Sequence, residues 1–347
     1  RNADNHVDRG EFPGTNDDYA VLDRDHDGEL TAEDFNFSAH ALTPSPGMML
    51  FYRADRDGNG RLTTEQWDKL FQSLDRDRGG FLALADLQNA FAPRPTRPSK
   101  DASDGPQGPS RWTLVKGLAR QEIGALLPGP GVGEPAPDFT LKSVEGDRSY
   151  TLSKLIGPKP VVLVFGNFTC GPFRAQAGNV EKLYRRYKDR ATFLMIYVRE
   201  AHPTDGWSME SNQRVGVALA QPRTYAERVG VAQTCQATLG FDMPFLVDTI
   251  DDSVGGTYSG MPSRLYLIDR TGHVMYKSGR GPFGFKPGEL DQAISLLLTK
   301  ESMSKSAPEK KTTKTTTKDR LPEQIKAMTG PLPVWVDQLS GPLPRTT

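Results

Sequence analysis

The chain has little cysteine and no long apolar run. Its 347 residues contain two cysteines, Cys170 and Cys235, which are too few for a disulfide scaffold and lack the ligand spacing of a zinc site. The longest apolar stretches, such as VVLVF and FLMIYV, have the length of a strand and fall far short of a bilayer span. We therefore expect a soluble protein with no membrane partner.

The chain also lacks an excess of charge of either sign. Lysine and arginine together number 43, as do aspartate and glutamate, so no overall field attracts the protein to nucleic acid or to an acidic membrane. The first residue is Arg1 rather than methionine, which agrees with a processed N-terminus. Localisation stays open, with an extracytoplasmic or secreted site favoured. The oligomeric state stays open too, and a homodimer is one option.

Glycine and proline are abundant, with 34 and 27 residues, which indicates that part of the chain lies in linkers or tails. Changes in composition divide the chain into four segments. We predict an EF-hand domain over residues 1–91, a Pro/Gly-rich linker over 92–134, an α/β domain over 135–299 and a disordered tail over 300–347. The linker predicts a tether between the two domains rather than tight coupling.

Three N-terminal stretches share the pattern of an EF-hand calcium loop. They are DRDHDGELTAED from Asp23, DRDGNGRLTTEQ from Asp55 and DRDRGGFLALAD from Asp75. Each has aspartate at positions one and three, glycine at six and leucine at eight, so hard oxygen ligands can surround the ion and glycine can form the sharp turn. We predict a small all-α, calcium-binding domain. A solvated aspartate-rich turn is the alternative, which three successive matches disfavour except in the third loop.

The predicted calcium ligands differ between the loops. Position twelve, normally glutamate, is aspartate or glutamine, and position five of the third loop is Gly79, so we expect weak affinity that is lowest in loop three. The predicted ligands are Asp23, Asp25, Asp27 and Asp34 in loop one, Asp55, Asp57, Asn59 and Gln66 in loop two, and Asp75, Asp77 and Asp86 in loop three. Between loops two and three, helical spacing predicts a buried face made by Trp67, Leu70, Phe71 and Leu74.

The second half of the chain alternates apolar runs with amphipathic stretches. PVVLVFGN and ATFLMIYV predict buried strands with a helix after each, and PFLVD and RLYLIDRTGHVMYKSG predict a strand and a hairpin before a last helix in KPGELDQAISLLL. This order predicts a thioredoxin-like α/β domain. It places Cys170 at the junction of the first strand and its helix, where unpaired amides favour thiolate over thiol. We therefore interpret Cys170 as a nucleophile rather than a structural cysteine.

The motifs FGNFTCGPF, YVREAHPTDGW, LVDT, RLYLID and GRGPFGF together resemble the iodothyronine deiodinase family over residues 160–298. The resemblance implies a thioredoxin-fold oxidoreductase that removes iodine reductively from iodinated phenols, with an external thiol as reductant. The family nucleophile is usually selenocysteine, and Cys170 stands at its position beside Thr169. Because sulfur is the weaker nucleophile, we expect a slower reaction.

The resemblance also assigns roles around the nucleophile. It implies that His202 orients the phenol and assists proton transfer, with Glu200 in the same hydrogen-bond network, and that Arg280 pairs with the far end of the substrate. Pro262 falls where the thioredoxin fold places a cis-proline that faces the nucleophile. The chain departs from the family pattern at three positions, where Phe168, Pro222 and Met243 replace a cysteine, a histidine and a second cysteine.

Several alternatives remain open at this point. Cys235 is either a thiol that resolves Cys170 through a disulfide, which requires Cα atoms within roughly 7 Å, or a small apolar residue on a buried helix face. The α/β domain could instead be a thiol peroxidase or thiol-disulfide oxidoreductase, or the whole chain a non-catalytic calcium-binding scaffold. The motifs around His202 and Arg280 favour the deiodinase-like hypothesis, since a simple peroxidase has no evident need for them.

Overall fold

The computed structural model describes residues 6–35, 46–76, 78–83, 86–87, 90, 128–281 and 283–306. Most of the predicted linker and the predicted tail beyond residue 306 lie outside these ranges. The described residues up to 303 group into one compact unit, which contains both the N-terminal segment with the three aspartate-rich loops and the α/β segment. In the ranges described, no helix is long and apolar enough to cross a membrane.

In the N-terminal module, residues 6–90, the regular structure that is described consists mainly of helices. Its helices are α1 (Asn16–Leu22), α2 (Pro46–Ala54) and α3 (Thr64–Leu74), and a short strand β1 (Val7–Asp8) pairs antiparallel with β2 (Glu29–Leu30). The strand pair departs from the all-α prediction, because positions seven and eight of loop one are extended and bond to a neighbouring segment.

The buried face of α3 is shorter than its spacing predicted. Leu70 and Leu74 are buried in a small apolar cluster with Ala54, and Phe71 is partly buried. Trp67 is 50% exposed, so its assignment to the core is wrong. The cluster around Ala54 is too small to cover the first turn of α3.

A seven-stranded sheet forms the core of the C-terminal half. Its strands are β3 (Thr140–Ser143), β4 (Ser149–Thr151), β5 (Val161–Gly166), β6 (Thr192–Tyr197), β7 (Phe245–Val247), β8 (Arg264–Ile268) and β9 (Val274–Lys277). Their order across the sheet is β4-β3-β7-β6-β5-β8-β9. The central strands β5, β6 and β7 run parallel, and the other neighbours pair antiparallel. Every residue of β5 is buried, as expected for a central strand covered on both faces.

The helices of this half are α4 (Leu152–Leu155), α5 (Gly171–Ala175), α6 (Ala177–Tyr187), α7 (Glu210–Arg214), α8 (Tyr225–Leu239), α9 (Ser253–Thr257) and α10 (Pro287–Ser306). The helices α5 and α6 connect β5 to β6, and α10 follows the β8–β9 hairpin. This succession of a βαβ unit and a ββα unit confirms the predicted thioredoxin-like α/β fold.

The N-terminal module packs directly against the α/β half. In loop two, a Cβ added at Gly60 would overlap the carbonyl oxygen of Arg174 in α5, and Arg61 donates a hydrogen bond to the carbonyl oxygen of Gly240. At a second contact, Ser295 of α10 in the α/β half donates a hydrogen bond to the carbonyl oxygen of Asp18 in the N-terminal module, at 3.3 Å. The prediction of a loose tether is therefore wrong, because the two halves share buried contacts.

Candidate functional site

Cys170 lies at the start of α5, where the sequence placed it. It is the N-cap residue of this helix, and Pro172 occupies the first turn. The side chain of Cys170 is only 2% exposed. Its sulfur faces the Phe173 amide and the Ser263 hydroxyl, and this hydroxyl has no regular hydrogen bond to any described residue. The candidate nucleophile is thus at a helix start but closed off from solvent.

Burial dominates the acidity of Cys170. Loss of solvation raises the pKa of its thiol from 9.0 to about 11, while the Phe173 amide, the Ser263 hydroxyl and the Arg174 charge lower it by less. Burial therefore opposes the thiolate that the helix start was predicted to favour. Helix α5 has only five residues and a correspondingly weak field, whereas the sulfur has lost its contact with water.

Thr169 joins the nucleophile segment to the insertion that follows β6. Its amide donates to Glu200 Oε2 at 2.8 Å, and its Oγ1 accepts a hydrogen bond from the His202 amide at 2.9 Å. The same hydroxyl donates to Asn167 Oδ1 at 3.2 Å. The structure therefore brings Thr169, Glu200 and His202 together beside Cys170.

Glu200 is a buried carboxyl group, 2% exposed. One of its oxygens accepts from Thr169 and the other accepts from the Tyr197 hydroxyl. Burial raises the pKa of Glu200, and the hydrogen bonds from Tyr197 and Thr169 offset part of this effect. A carboxyl group with a raised pKa inside a hydrogen-bonded network can hold a proton and transfer it.

His202 is fixed by the insertion loop. Its Nδ1 lies 3.1 Å from the carbonyl oxygen of Trp207, and the two rings meet edge to face with centroids 5.1 Å apart. Because a carbonyl oxygen can only accept, we assign the proton to Nδ1, which leaves Nε2 as an acceptor. Burial lowers the pKa of His202, and the Arg174 charge lowers it further. A neutral imidazole of this tautomer can accept a proton from a phenol.

The proline loop before β8 lies beside the nucleophile. The peptide bond between Met261 and Pro262 is cis, as predicted. The carbonyl oxygen of Pro262 accepts from Asn167 Nδ2 at 2.9 Å, and the next residue, Ser263, faces the sulfur of Cys170. The structure thus ties this loop to the segment just before the nucleophile.

Arg280 is exposed in the loop that follows β9. Its neighbour Gly281 donates to the carbonyl oxygen of Ser263 at 3.0 Å, and a Cβ added at Gly281 would overlap the Ser263 hydroxyl. The Arg280 loop therefore packs on the residue that faces Cys170, with the guanidinium at the surface.

Arg174 and Asn212 belong to the site but were not predicted from the sequence. Arg174 is 4% exposed and donates to the carbonyl oxygen of Phe168 and to Asn212 Oδ1, while Asn212 donates to the carbonyl oxygen of Thr169 at 2.7 Å. Together they brace the loop that leads to the nucleophile. Arg174 could have been found from the sequence, because it is a cationic residue one helical turn after Cys170. No sequence pattern pointed to Asn212.

Cys235 lies on α8 and is fully buried, and neither cysteine is in a disulfide. Burial raises the pKa of its thiol well above the usual value, and the charge of Glu200 raises it further. This placement agrees with a small residue on a buried helix face. A resolving role towards Cys170 stays a prediction.

Loop one brings three carboxylates together. Asp23, Asp25 and Asp27 each place one oxygen within 4.8 Å of the others. Asp23 is 7% exposed, and its Oδ2 accepts from the Gly28 amide at 3.1 Å. Its Oδ1 is buried and has no hydrogen-bond partner among the described residues. A buried orphan oxygen beside two further carboxylates fits a hard cation such as calcium.

The other loops use their first aspartate to shape the turn. Both oxygens of Asp55 accept from amides inside loop two, and both oxygens of Asp75 do the same in loop three. Asp57 accepts from the Asn59 side chain at 3.1 Å, and Asp77 lies outside the described residues. The described oxygens of these loops are thus already hydrogen-bonded.

The side chains at position twelve accept hydrogen bonds from backbone amides of their own loops. Asp34 accepts from two loop-one amides at 2.7 and 2.8 Å. Gln66 accepts from the Thr63 amide at 3.0 Å in the capping box that begins α3, and Asp86 accepts from the Ala83 amide at 2.9 Å. Their role as calcium ligands stays a prediction.

Residues 126–297 match the sequence model of the iodothyronine deiodinase family. The type I iodothyronine deiodinase of Xenopus laevis is 31% identical over 159 residues, which are 46% of this chain and 61% of that protein. The human thyroxine 5-deiodinase is 34% identical over 159 residues, 46% of this chain and 51% of that protein. The chain thus spans between half and two thirds of these relatives. Over its C-terminal half it is similar to iodothyronine deiodinases, as the motifs predicted.

Among solved structures, the thioredoxin domain of a thiol-disulfide oxidoreductase from Bacteroides vulgatus aligns with a TM-score of 0.33 and 18% identity, covering 50% of this chain and 97% of that domain. The assignment of a thioredoxin-like fold rests on the strand order of the sheet.

Proposed function

We propose that the α/β half of this chain is a cysteine-dependent, deiodinase-like oxidoreductase that removes iodine reductively from phenolic substrates, with an external thiol as reductant. The observation that carries the proposal is the bonding of Thr169, which holds Glu200 and the backbone of His202 next to Cys170. The similarity of residues 126–297 to iodothyronine deiodinases supports the same chemistry.

In the proposed reaction, the sulfur of Cys170 attacks the iodine atom of the substrate. A sulfur–iodine bond forms as the carbon–iodine bond breaks, and the ring carbon keeps the electron pair of the broken bond and takes up a proton. The substrate is thereby reduced and the sulfur oxidised. An external thiol then attacks this sulfur and iodide leaves, and a second thiol completes a disulfide and returns Cys170 to its reduced form.

Glu200 and His202 are the groups placed for the proton steps. Burial raises the pKa of Glu200 and lowers the pKa of His202, so burial favours the carboxyl group as the proton donor and the neutral imidazole as the proton acceptor. This division suits a substrate whose phenol is held by His202 while its ring carbon gains a proton.

Cys170 must change its surroundings before it reacts. At 2% exposure the sulfur cannot meet an iodine atom, and burial holds its pKa at about 11. Opening of the residues that cover it would expose the sulfur and lower its pKa, and the neighbouring Arg174 charge would favour the thiolate. We therefore propose that substrate binding and activation of the thiol occur together.

The activity test measures iodide released from an iodinated phenol in the presence of a dithiol. We expect release by the unaltered chain, no release by Cys170→Ser and about a hundredfold slower release by His202→Ala. His273→Ala is the matched control, since His273 bonds to Thr271 in an exposed turn, and it should retain the full rate. Peroxide consumption that needs Cys170 but not His202, without iodide release, would instead support the thiol peroxidase hypothesis.

We also propose that the N-terminal module binds calcium, with loop one as its best-formed site. Asp23, Asp25 and Asp27 would hold the ion, and the buried, unpartnered Oδ1 of Asp23 supports this assignment. Calcium would supply positive charge to the loop, and no step of the dehalogenation uses it. Titration calorimetry should detect heat of calcium binding that Asp23→Ala reduces and that Asp147→Ala, an exposed aspartate outside the module, leaves unchanged.

A further inference from the structure

Helix α10 presents a row of buried polar side chains to the N-terminal module. Gln292, Ser295 and Thr299 are 5%, 0% and 6% exposed, and their spacing of three and four residues places them on one face of the helix. Ser295 donates to the carbonyl oxygen of Asp18 and to its Oδ1, both at 3.3 Å. The Arg190 guanidinium lies 3.4 Å from the same carboxylate oxygen. These contacts make this face of α10 a docking surface for the module.

Gln292 bonds to both ends of loop one. Its Nε2 donates to the carbonyl oxygen of Leu22 at 3.3 Å and to the carbonyl oxygen of Asp34 at 3.0 Å. Leu22 directly precedes position one of the loop, and Asp34 is position twelve. One side chain of the α/β half therefore sets the distance between the start and the end of the candidate calcium loop.

We infer that Gln292 couples calcium binding at loop one to the stability of the α/β core. The inference rests on the proposed calcium site and adds a residue, from the other half of the chain, that preorganises it. By holding the loop ends, Gln292 removes part of the ordering cost of binding. By linkage, calcium then strengthens the contact between loop one and α10 by the same factor.

The charges of loop one give the direction of this effect. Without a cation, the carboxylates of Asp23, Asp25 and Asp27 repel one another within 4.8 Å, which favours a wider loop and strains the two bonds of Gln292. A bound cation removes the repulsion and draws the loop together. Calcium is therefore expected to stabilise the α/β core through α10.

The first measurement compares the calcium affinity of the full chain with that of Gln292→Met. Because two hydrogen bonds to the loop ends are lost, we expect loop-one affinity to fall about threefold to tenfold. Gln233→Met is the matched control, since Gln233 is exposed on α8 and its amide donates to the carbonyl oxygen of Val144 at 3.4 Å. Its affinity should equal that of the unaltered chain.

The second measurement reports on the α/β core alone. In a Cys170→Ser background, Cys235 is fully buried and can be alkylated only when the core opens. We expect saturating calcium to slow this alkylation about tenfold, and to slow it less than about threefold when Gln292→Met is added. Magnesium at the same concentration is the ion control and should protect less, because it prefers smaller octahedral sites.

The outcomes separate the inference from the proposed calcium site. Unchanged affinity and unchanged calcium protection in Gln292→Met overturn the inference and leave calcium binding in place. If the unaltered chain gives no heat with calcium, the calcium site itself fails and the inference fails with it. If Gln292→Met does not fold, Gln292→Asn takes its place, since the shorter amide cannot reach both carbonyl oxygens. Calcium affinity and calcium protection in Gln292→Asn equal to those of the unaltered chain would overturn the inference.

Discussion

The site around Cys170 and loop one of the N-terminal module hold their polar groups in opposite ways. Around Cys170, the residues Thr169, Glu200 and Arg174 are buried. The Thr169 amide donates to Glu200, and Arg174 donates to the carbonyl oxygen of Phe168. In loop one, two of three clustered carboxylates are exposed, and the buried Asp23 Oδ1 has no partner among the described residues. The first site is a buried hydrogen-bonded network tuned by exclusion of water, in which Arg174 Nε and the Ser263 hydroxyl have no hydrogen-bond partner among the described residues. The second would be completed by the cation that we propose for loop one.

Among the predictions that distinguish the two regions, we expect the largest effect in the pKa of Cys170. In a Cys235→Ser background, its alkylation rate should keep rising to about pH 11, because burial raises the pKa from 9.0 to about 11. At pH 8 the thiolate fraction should be about a hundredfold below that of an ordinary thiol. Mass spectrometry of the alkylated chain over pH 7–11 measures this, with denatured chain as control. A plateau near pH 9 would contradict the account.

The same shift predicts the sign of a pH effect on stability. The folded chain holds the proton of Cys170 more tightly than the unfolded chain does, since the folded pKa is about 11 against 9.0. The contribution to stability is therefore fully present below pH 9 and is lost as the pH rises towards 11. Denaturant unfolding should give a lower free energy of unfolding at pH 10.5 than at pH 8 for the unaltered chain. The difference between the two pH values should be smaller for Cys170→Ala.

A pair of glycines contrasts the docked loop two with the open loop one. Gly60 and Gly28 both hold position six with positive φ, +75° and +90°. A Cβ at Gly60 would overlap Arg174, whereas a Cβ at Gly28 meets nothing within 4 Å. We expect Gly60→Ala to lower the free energy of unfolding by about 3 kcal/mol and Gly28→Ala by about 1 kcal/mol. Equal losses in denaturant titrations would show that loop two is not docked on α5.

A pair of asparagines tests the network behind the nucleophile. Asn212 is 3% exposed and bonds to both Arg174 and Thr169, whereas Asn179 is an exposed residue of α6. We expect Asn212→Ala to lower the free energy of unfolding by about 2 kcal/mol and to slow iodide release, and Asn179→Ala to do neither. Iodide release at the full rate in Asn212→Ala would show that the network only supports the fold.

The smallest effect is expected at the surface of the module. Trp67 is 50% exposed, and Leu70, one turn on, is 4% exposed. We expect Trp67→Ala to change the free energy of unfolding by less than about 1 kcal/mol, against about 2–4 kcal/mol for Leu70→Ala. A loss at Trp67 as large as that at Leu70 would place the tryptophan in a buried contact.

The parts of the fold that sequence analysis predicted are those that depend on local pattern. The apolar runs of β5 and β6 are continuous, so their burial could be inferred without the partner strands. The stretch RLYLIDRTGHVMYKSG indicated the β8–β9 hairpin in the same way. The edge hairpin β3–β4 was missed because TLKS and SYT are short and weakly apolar, and pairing with β7 decides their structure.

In the site, too, only features that depend on local sequence could be predicted. The motif that contains Glu200 and His202 identified both residues, since the motif is contiguous in sequence. The raised pKa of Cys170 could not be predicted, because the helix start is local whereas the burial that outweighs it depends on how the whole domain packs. The buried polar row on α10 was also missed, although Gln292 within an apolar helix was a usable signal.

The most direct test of the central claim counts product formed in a single turnover. With an iodinated phenol and no dithiol, the account predicts about one equivalent of dehalogenated phenol per chain, because each Cys170 can accept one iodine before it needs a reductant. Added dithiol should restart the reaction, and Cys170→Ser should form no product. Dehalogenated phenol at the same yield from Cys170→Ser would contradict the account.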